Sequence, residues 1–188
     1  QRLSRGLGDV YKRQGLDHIL FVLALFLSST TSRSLVIQIS VFTLAHTITL
    51  GLAATGVISP PSDIVEPLIA LSIALVATEN LFFKKPPRWR PIVIFLFGLL
   101  HGLGFAGFFG ELGLPEGQFW SALIGFNIGV EIGQLSVIIL AIAVLSVWRW
   151  RNNIEYTDVV YRRFMILPGS LLIGATGSWW AMERVFLN

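Results

Sequence analysis

The chain has 188 residues, 54% of them hydrophobic and only 13% charged, with a mean hydropathy of +0.71. Soluble domains carry about 25% charged residues, so this composition excludes an ordinary water-soluble domain and leaves room for one membrane domain. The formal net charge is +3, but the positive charge is gathered in particular loops and reads as topology rather than as a nucleic-acid surface. Cysteine is absent, which excludes disulfides and thiolate metal ligands.

A helix crossing a hydrocarbon core of roughly 30 Å needs about 20 apolar residues. In chain order, the apolar run 15–27 is too short to span alone, while 35–55, 65–83, 91–109, 119–147 and 164–186 are each long enough. The run 119–147 exceeds the membrane thickness and is expected to tilt or project beyond it. The first helix would have to start about ten residues before Gly15, in RGLGDVYKRQ, which carries Arg5, Asp9, Lys12 and Arg13. Each such charge inside a span costs roughly 2.5–3.5 kcal/mol. Residues 1–14 therefore read as non-native or disordered, a translated adapter or an assembly error, and 15–188 as a single six-helix transmembrane domain.

Basic connections hold Arg33, then Lys84, Lys85, Arg88 and Arg90, then Arg149, Arg151, Arg162 and Arg163. The intervening loops, at 59–64 and 110–118, hold Asp63, Glu111 and Glu116 and no Lys or Arg. Alternation of this kind is what the positive-inside rule requires. The expected fold is an all-α integral membrane bundle of six transmembrane helices with both termini extracytoplasmic.

All three histidines, His18, His46 and His101, lie inside these spans, where ionisable groups point to function. His18 lies ten residues from Ser28, His46 eleven from Leu35 and His101 ten from Pro91. At the helical rise each sits roughly 15 Å from the cytoplasmic boundary, so three helices carry a histidine at one depth. Asp17 precedes His18. Asn127, Glu131 and Gln134 share one face of their helix, while Gly125, Gly129 and Gly133 form another face suited to close packing. Glu79 and Asn80 lie near the cytoplasmic end of the third helix and Glu66 near its outer end, as pathway residues or as solvated and capping groups. The glycines of GLLHGLGFAG read as packing positions. Phe42, Leu44, His46 and Pro60 recur 55 residues on as Phe97, Leu99, His101 and Pro115, a parallel repeat or a chance likeness of apolar helices.

Three imidazoles with carboxylates and no thiolate suit a borderline divalent transition metal, and ligand type does not separate Ni²⁺ or Co²⁺ from Zn²⁺. A midplane site of Asp17, His18, His46, His101 and Glu131 follows, with Asn127 and Gln134 orienting the ligands. Transport is one reading. A second is an intramembrane zinc-dependent hydrolase with Glu131 as general base, although H-E-x-x-H is absent. A third is a haem carrier using His46 and His101 as axial ligands.

The motifs GLDHILFVLALFL, FTLAHTITLGLA, VEPLIALSIALVATENL, FGLLHGLGFAG and FNIGVEIGQL, in this order, resemble the HupE/UreJ family, closest to its branch with an extracytoplasmic amino-terminal region. The resemblance covers residues 15–145. It implies a multi-pass protein of the bacterial inner membrane that works as a secondary permease for nickel or cobalt. The metal would be cargo, with no permanent cofactor. The partners implied are the lipid bilayer and hydrogenase or urease maturation proteins, and a homo-oligomer stays open. Asp17 and His18 match the family's H-x5-D-H element, whose first histidine is replaced here by Tyr11. The topology predicts that, in the cysteine-free background, Gln118→Cys labels with an impermeant thiol reagent from outside the cell and Pro87→Cys does not. The reverse pattern would overturn the orientation.

Overall fold

The computed structural model describes residues 2–29, 31–105, 117–152 and 158–187, with side chains from Arg13 onward except at positions 152 and 158. Among the described residues the chain forms helices joined by turns. They are α1 (Arg2–Ser28), α2 (Ser32–Ala54), α3 (Ser62–Phe82), α4 (Arg90–Gly104) and α5 (Phe119–Asn152). The last helix, α6, joins Asp158–Tyr161, a π-helical turn Arg162–Ile166 and Leu167–Phe186 end to end. Helix starts follow local chemistry. Thr31 caps α2 by accepting from the Ser34 N–H at 3.1 Å, and Pro91 opens α4 where its missing N–H costs nothing. The π turn in α6 stands just before Pro168, whose ring cannot share a regular turn with the Phe164 carbonyl four residues back.

Four helices are long and apolar enough to cross a membrane: Ser32–Ala54, Ser62–Phe82, Phe119–Arg151 and Val159–Phe186. They carry four of the five long runs read from the sequence. The fifth, expected over 91–109, is shorter. The helix stops at Gly104, where Gly102 and Gly104 weaken it, and Phe109 lies outside the described residues, as do Glu111, Pro115 and Glu116. The short run 15–27 is the second half of α1, a 27-residue helix that is long enough to span but carries charges along its first half. Of the stretch 1–14, Gln14 is buried and its Nε2 donates to the Gly104 carbonyl.

Contacts between residues fix the helix directions. Gly98 meets Phe42 and Ala45, and Gly102 meets His46 and Thr49, so α2 and α4 run the same way. Gly174 meets Ala77, and Gly177 meets Ala74 and Ala70, so α3 and α6 run oppositely. Asp17 reaches Arg184, and Asn80 donates to the Ala24 carbonyl at 2.8 Å. Taken with the α2–α5 bonds described below, successive described helices alternate in direction. The interior holds Phe21, Leu25, Ile39, Phe42, Ile73 and Ile94. Ile124, Ile128, Ile132 and Ile139 of α5 are exposed, an apolar surface far more at home in lipid than in water.

Two small-residue seams bring helices together. A Cβ on Gly98 would lie 2.5 Å from the Phe42 carbonyl oxygen, and one on Gly102 would collide with Thr49 Oγ1 and the His46 carbonyl. Thr49 Oγ1 also donates to the Leu99 carbonyl at 2.6 Å, tying α2 to α4. The ridge expected to pack, Gly125, Gly129 and Gly133, does not: a Cβ at any of them meets nothing within 4 Å. Its spacing equals that of a packing motif, but Gly129 and Gly133 border open space between α5 and α1 where no helix comes close. We expect Gly98→Ala and Gly102→Ala to destabilise the detergent-solubilised protein by roughly 1–3 kcal/mol through overpacking. Gly125→Ala and Gly133→Ala should instead be neutral, or stabilising by up to about 1 kcal/mol, because alanine is the better helix former. Thermal unfolding of the four variants checks both signs.

Candidate metal centre

α1, α2 and α4 each send one histidine into the same space. The His18 ring lies 5.2 Å from that of His46 and 5.0 Å from that of His101, centroid to centroid, edge to face with both. His46 and His101 are fully buried and His18 is 8% exposed. The three rings, expected at one depth from the sequence, form one cluster. Phe21, Phe42, Phe105 and Phe126 wall it, each with its ring centroid 5.1–6.5 Å from at least one imidazole.

Hydrogen-bond partners assign the state of each neutral ring. His18 Nδ1 lies 2.9 Å from the Gln14 carbonyl, which can only accept, so Nδ1 carries the proton. Asn127 Nδ2 donates to the Leu123 carbonyl at 2.8 Å, which turns Asn127 Oδ1 toward His46 Nδ1 at 3.1 Å and makes that nitrogen the donor. Ser72 Oγ gives its proton to the Ile69 carbonyl at 2.7 Å and so accepts from His101 Nε2 at 2.8 Å. The remaining nitrogens, His18 Nε2, His46 Nε2 and His101 Nδ1, are buried and have no hydrogen-bond partner. A ring whose N–H is given to a fixed acceptor presents its lone pair in one direction, as metal-ligating histidines do. Among the described residues no group of three or more His, Asp or Glu side chains is placed to hold an ion as it stands.

The carboxylates lie elsewhere. Asp17 follows the turn of α1 away from the cluster and pairs with Arg184 of α6 at 2.9 Å. Glu131 is half-buried and accepts from Ser40 Oγ at 2.7 Å. Asn127, Glu131 and Gln134 do share a face, and it faces α2: Gln134 Oε1 accepts from Thr43 Oγ1 at 3.1 Å, beside the Asn127–His46 and Glu131–Ser40 bonds. A cavity of about 480 Å³ opens beside His18 between α1 and α5, lined by Phe105, Phe126, Gly129 and Gln134. Glu79 and Asn80 join Arg90 at the other end of α3, with Glu79 3.8 Å from the guanidinium and Asn80 Oδ1 3.4 Å. Arg162 Nη2 caps the same helix end on the Leu81 carbonyl at 2.8 Å. Glu66 contributes its main-chain carbonyl, which accepts from Arg184 Nη1 at 2.9 Å. The side chain of Tyr11 lies outside the described residues.

Sequence reasoning missed Ser72, the Gln14 carbonyl, Arg90 and Arg184. Ser72 carries no periodic or charge signal. The Gln14 acceptor is backbone, and both arginines stand at helix ends, where they read as interfacial.

A family model described as HupE / UreJ protein matches residues 3–184 of the chain. No curated protein and no solved structure matches it. The assigned tautomers are measurable without any metal. With three histidines in the chain, ring ¹⁵N spectra of the uniformly labelled protein should show two rings protonated at Nδ1 and one at Nε2. Ser72→Ala should scramble the Nε2 ring alone, and Asn127→Leu one Nδ1 ring alone. Three identical tautomers would contradict the assignment.

Proposed function

The chain belongs to the HupE/UreJ family, and on that premise we propose that it is a secondary permease moving a divalent transition metal, nickel or cobalt, across a bacterial cytoplasmic membrane. The family is associated with metal transport rather than catalysis. The observation that carries the reading is the trio of bare, buried imidazole nitrogens, each on a ring already oriented by an internal acceptor. A set of neutral nitrogen donors suits nickel or cobalt over magnesium.

In this reading all six described helices span, α1 and α4 with the four longer apolar ones. The alternation of direction supports it, and the basic connections favour both termini outside on the positive-inside rule. His18 Nε2, His46 Nε2 and His101 Nδ1 take the ion after small ring rotations, with Asn127, Ser72 and the Gln14 carbonyl as orienting partners. The polar strip between α2 and α5, with Ser40, Thr43, Glu131 and Gln134, lines the way to them. Glu79, Asn80 and Arg90 close the cytoplasmic end. Protons compete with metal for the same nitrogens, so acidification weakens binding and a proton gradient supplies the drive. The hydrolase reading gains no support, since Glu131, its general base, is engaged with Ser40. Residues 3–14 fall within the family match, and in this reading they form the first half of the α1 span, with Gln14 part of the site. A histidine in place of Tyr11 would add a fourth imidazole nearly two helical turns before His18 on the same side of α1.

Reconstituted liposomes test the proposal. Radioactive nickel uptake should be competed by Co²⁺ and not by Mg²⁺, should fall as the outside pH is lowered, and should drop at least about tenfold in His46→Ala and in His101→Ala. Tyr11→His should raise it. No uptake from either side under any proton gradient would sink the permease.

A further inference from the structure

Asp17 and Arg184 stand 167 positions apart and form a buried ion pair, Asp17 side chain 0% and Arg184 side chain 4% exposed, Oδ1 to Nη2 2.9 Å. The same guanidinium donates through Nη1 to the Glu66 carbonyl of α3 and lies over the Trp180 ring, 5.7 Å from its centroid. One charge of α1 is thereby fastened to α3 and α6 together. Neighbouring residues on a helix point about 100° apart, so the turn that sends Asp17 to Arg184 sends His18 the other way, toward His46 and His101.

We propose that Asp17 serves the metal centre as a positioning residue acting through Arg184, and not as a ligand to the ion. The pair sets the rotation of α1 about its own axis and so delivers the His18 ring between the other two. The inference rests on the reading of the three imidazoles as the cargo site, and it separates the Asp-His pair of α1 into two duties. Asp17 Oδ2 is buried without a partner. It is the oxygen an ion would have to use, so the decisive comparison is one that removes the carboxylate charge without leaving Arg184 unpaired. Removing either member alone strands a buried charge; removing both does not.

The full chain in nanodiscs is compared as wild type, Asp17→Asn, Arg184→Gln, the double variant and Arg184→Lys, by nickel titration, thermal unfolding and histidine ring ¹⁵N spectra. Each neutralising single variant should weaken nickel binding at least about tenfold and lower the unfolding midpoint. The double variant should return to within about threefold of wild-type affinity, with the midpoint and the His18 signals restored. Arg184→Lys, which keeps the charge but loses the fork to the Glu66 carbonyl, should fall between wild type and Arg184→Gln. A double variant that recovers its midpoint while binding nickel as poorly as Asp17→Asn makes Asp17 a ligand and overturns the proposal. Midpoint losses that simply add also overturn it. Should the wild type bind no nickel, the reading of the imidazoles as a metal site fails on its own, and the His18 signals decide the rest. Their loss in both singles and return in the double supports positioning; unchanged signals in the singles refute it.

Discussion

His46 and His101 stand at one level because α2 and α4 touch almost backbone to backbone. Gly98 and Gly102 leave no room for even one carbon between the helices, and Thr49 bonds across the gap to Leu99. Such contact is the strongest association available to helices in lipid, where apolar side chains gain nothing from leaving one apolar medium for another. Residues 46 and 101 inherit their relative height from it. His18 can then reach between two rings that are already fixed, and the cluster becomes a property of the α2–α4 seam rather than of any one histidine.

Once the rings are buried, each ring N–H has to find its acceptor within the bundle. That requirement explains why the partners are so mixed: a backbone carbonyl on α1, an amide on α5, a serine hydroxyl on α3. It also divides the molecule. On one side of α1 lie neutral imidazoles with spare lone pairs. On the other lies a full ion pair, closed by α3 and α6. The far end of α3 repeats the pattern with Glu79, Asn80 and Arg90. Asp17 and Glu79 each meet an arginine, and the cluster walled by phenylalanines is left to imidazole nitrogen.

Much of this was legible before any coordinates. The helical rise is constant, so counting residues from the span ends put His18, His46 and His101 together, and the 3.6-residue turn put Asn127, Glu131 and Gln134 on one face. What that face looks at was not legible, nor was the choice among glycine ridges. Gly125, Gly129 and Gly133 have the spacing of a packing motif and are bare, while Gly98 and Gly102 have the same spacing and are filled. Spacing says that a helix can come close, and only the tertiary arrangement says whether one does. Arg184 escaped for a related reason. An arginine two residues from a helix end reads as a headgroup contact, and its true partner lies at the opposite end of the sequence.

The phenyl wall around the imidazoles has a consequence for what can pass. Phe21, Phe42, Phe105 and Phe126 offer an ion no oxygen with which to replace its water. In the permease reading, an ion reaching the cluster would surrender hydration on its aromatic side before the nitrogens could repay it. Magnesium dehydrates reluctantly, and a softer transition ion regains the loss at imidazole. On that reading the four rings would act as a toll on solvation, sorting ions by how willingly they undress before any ligand is met.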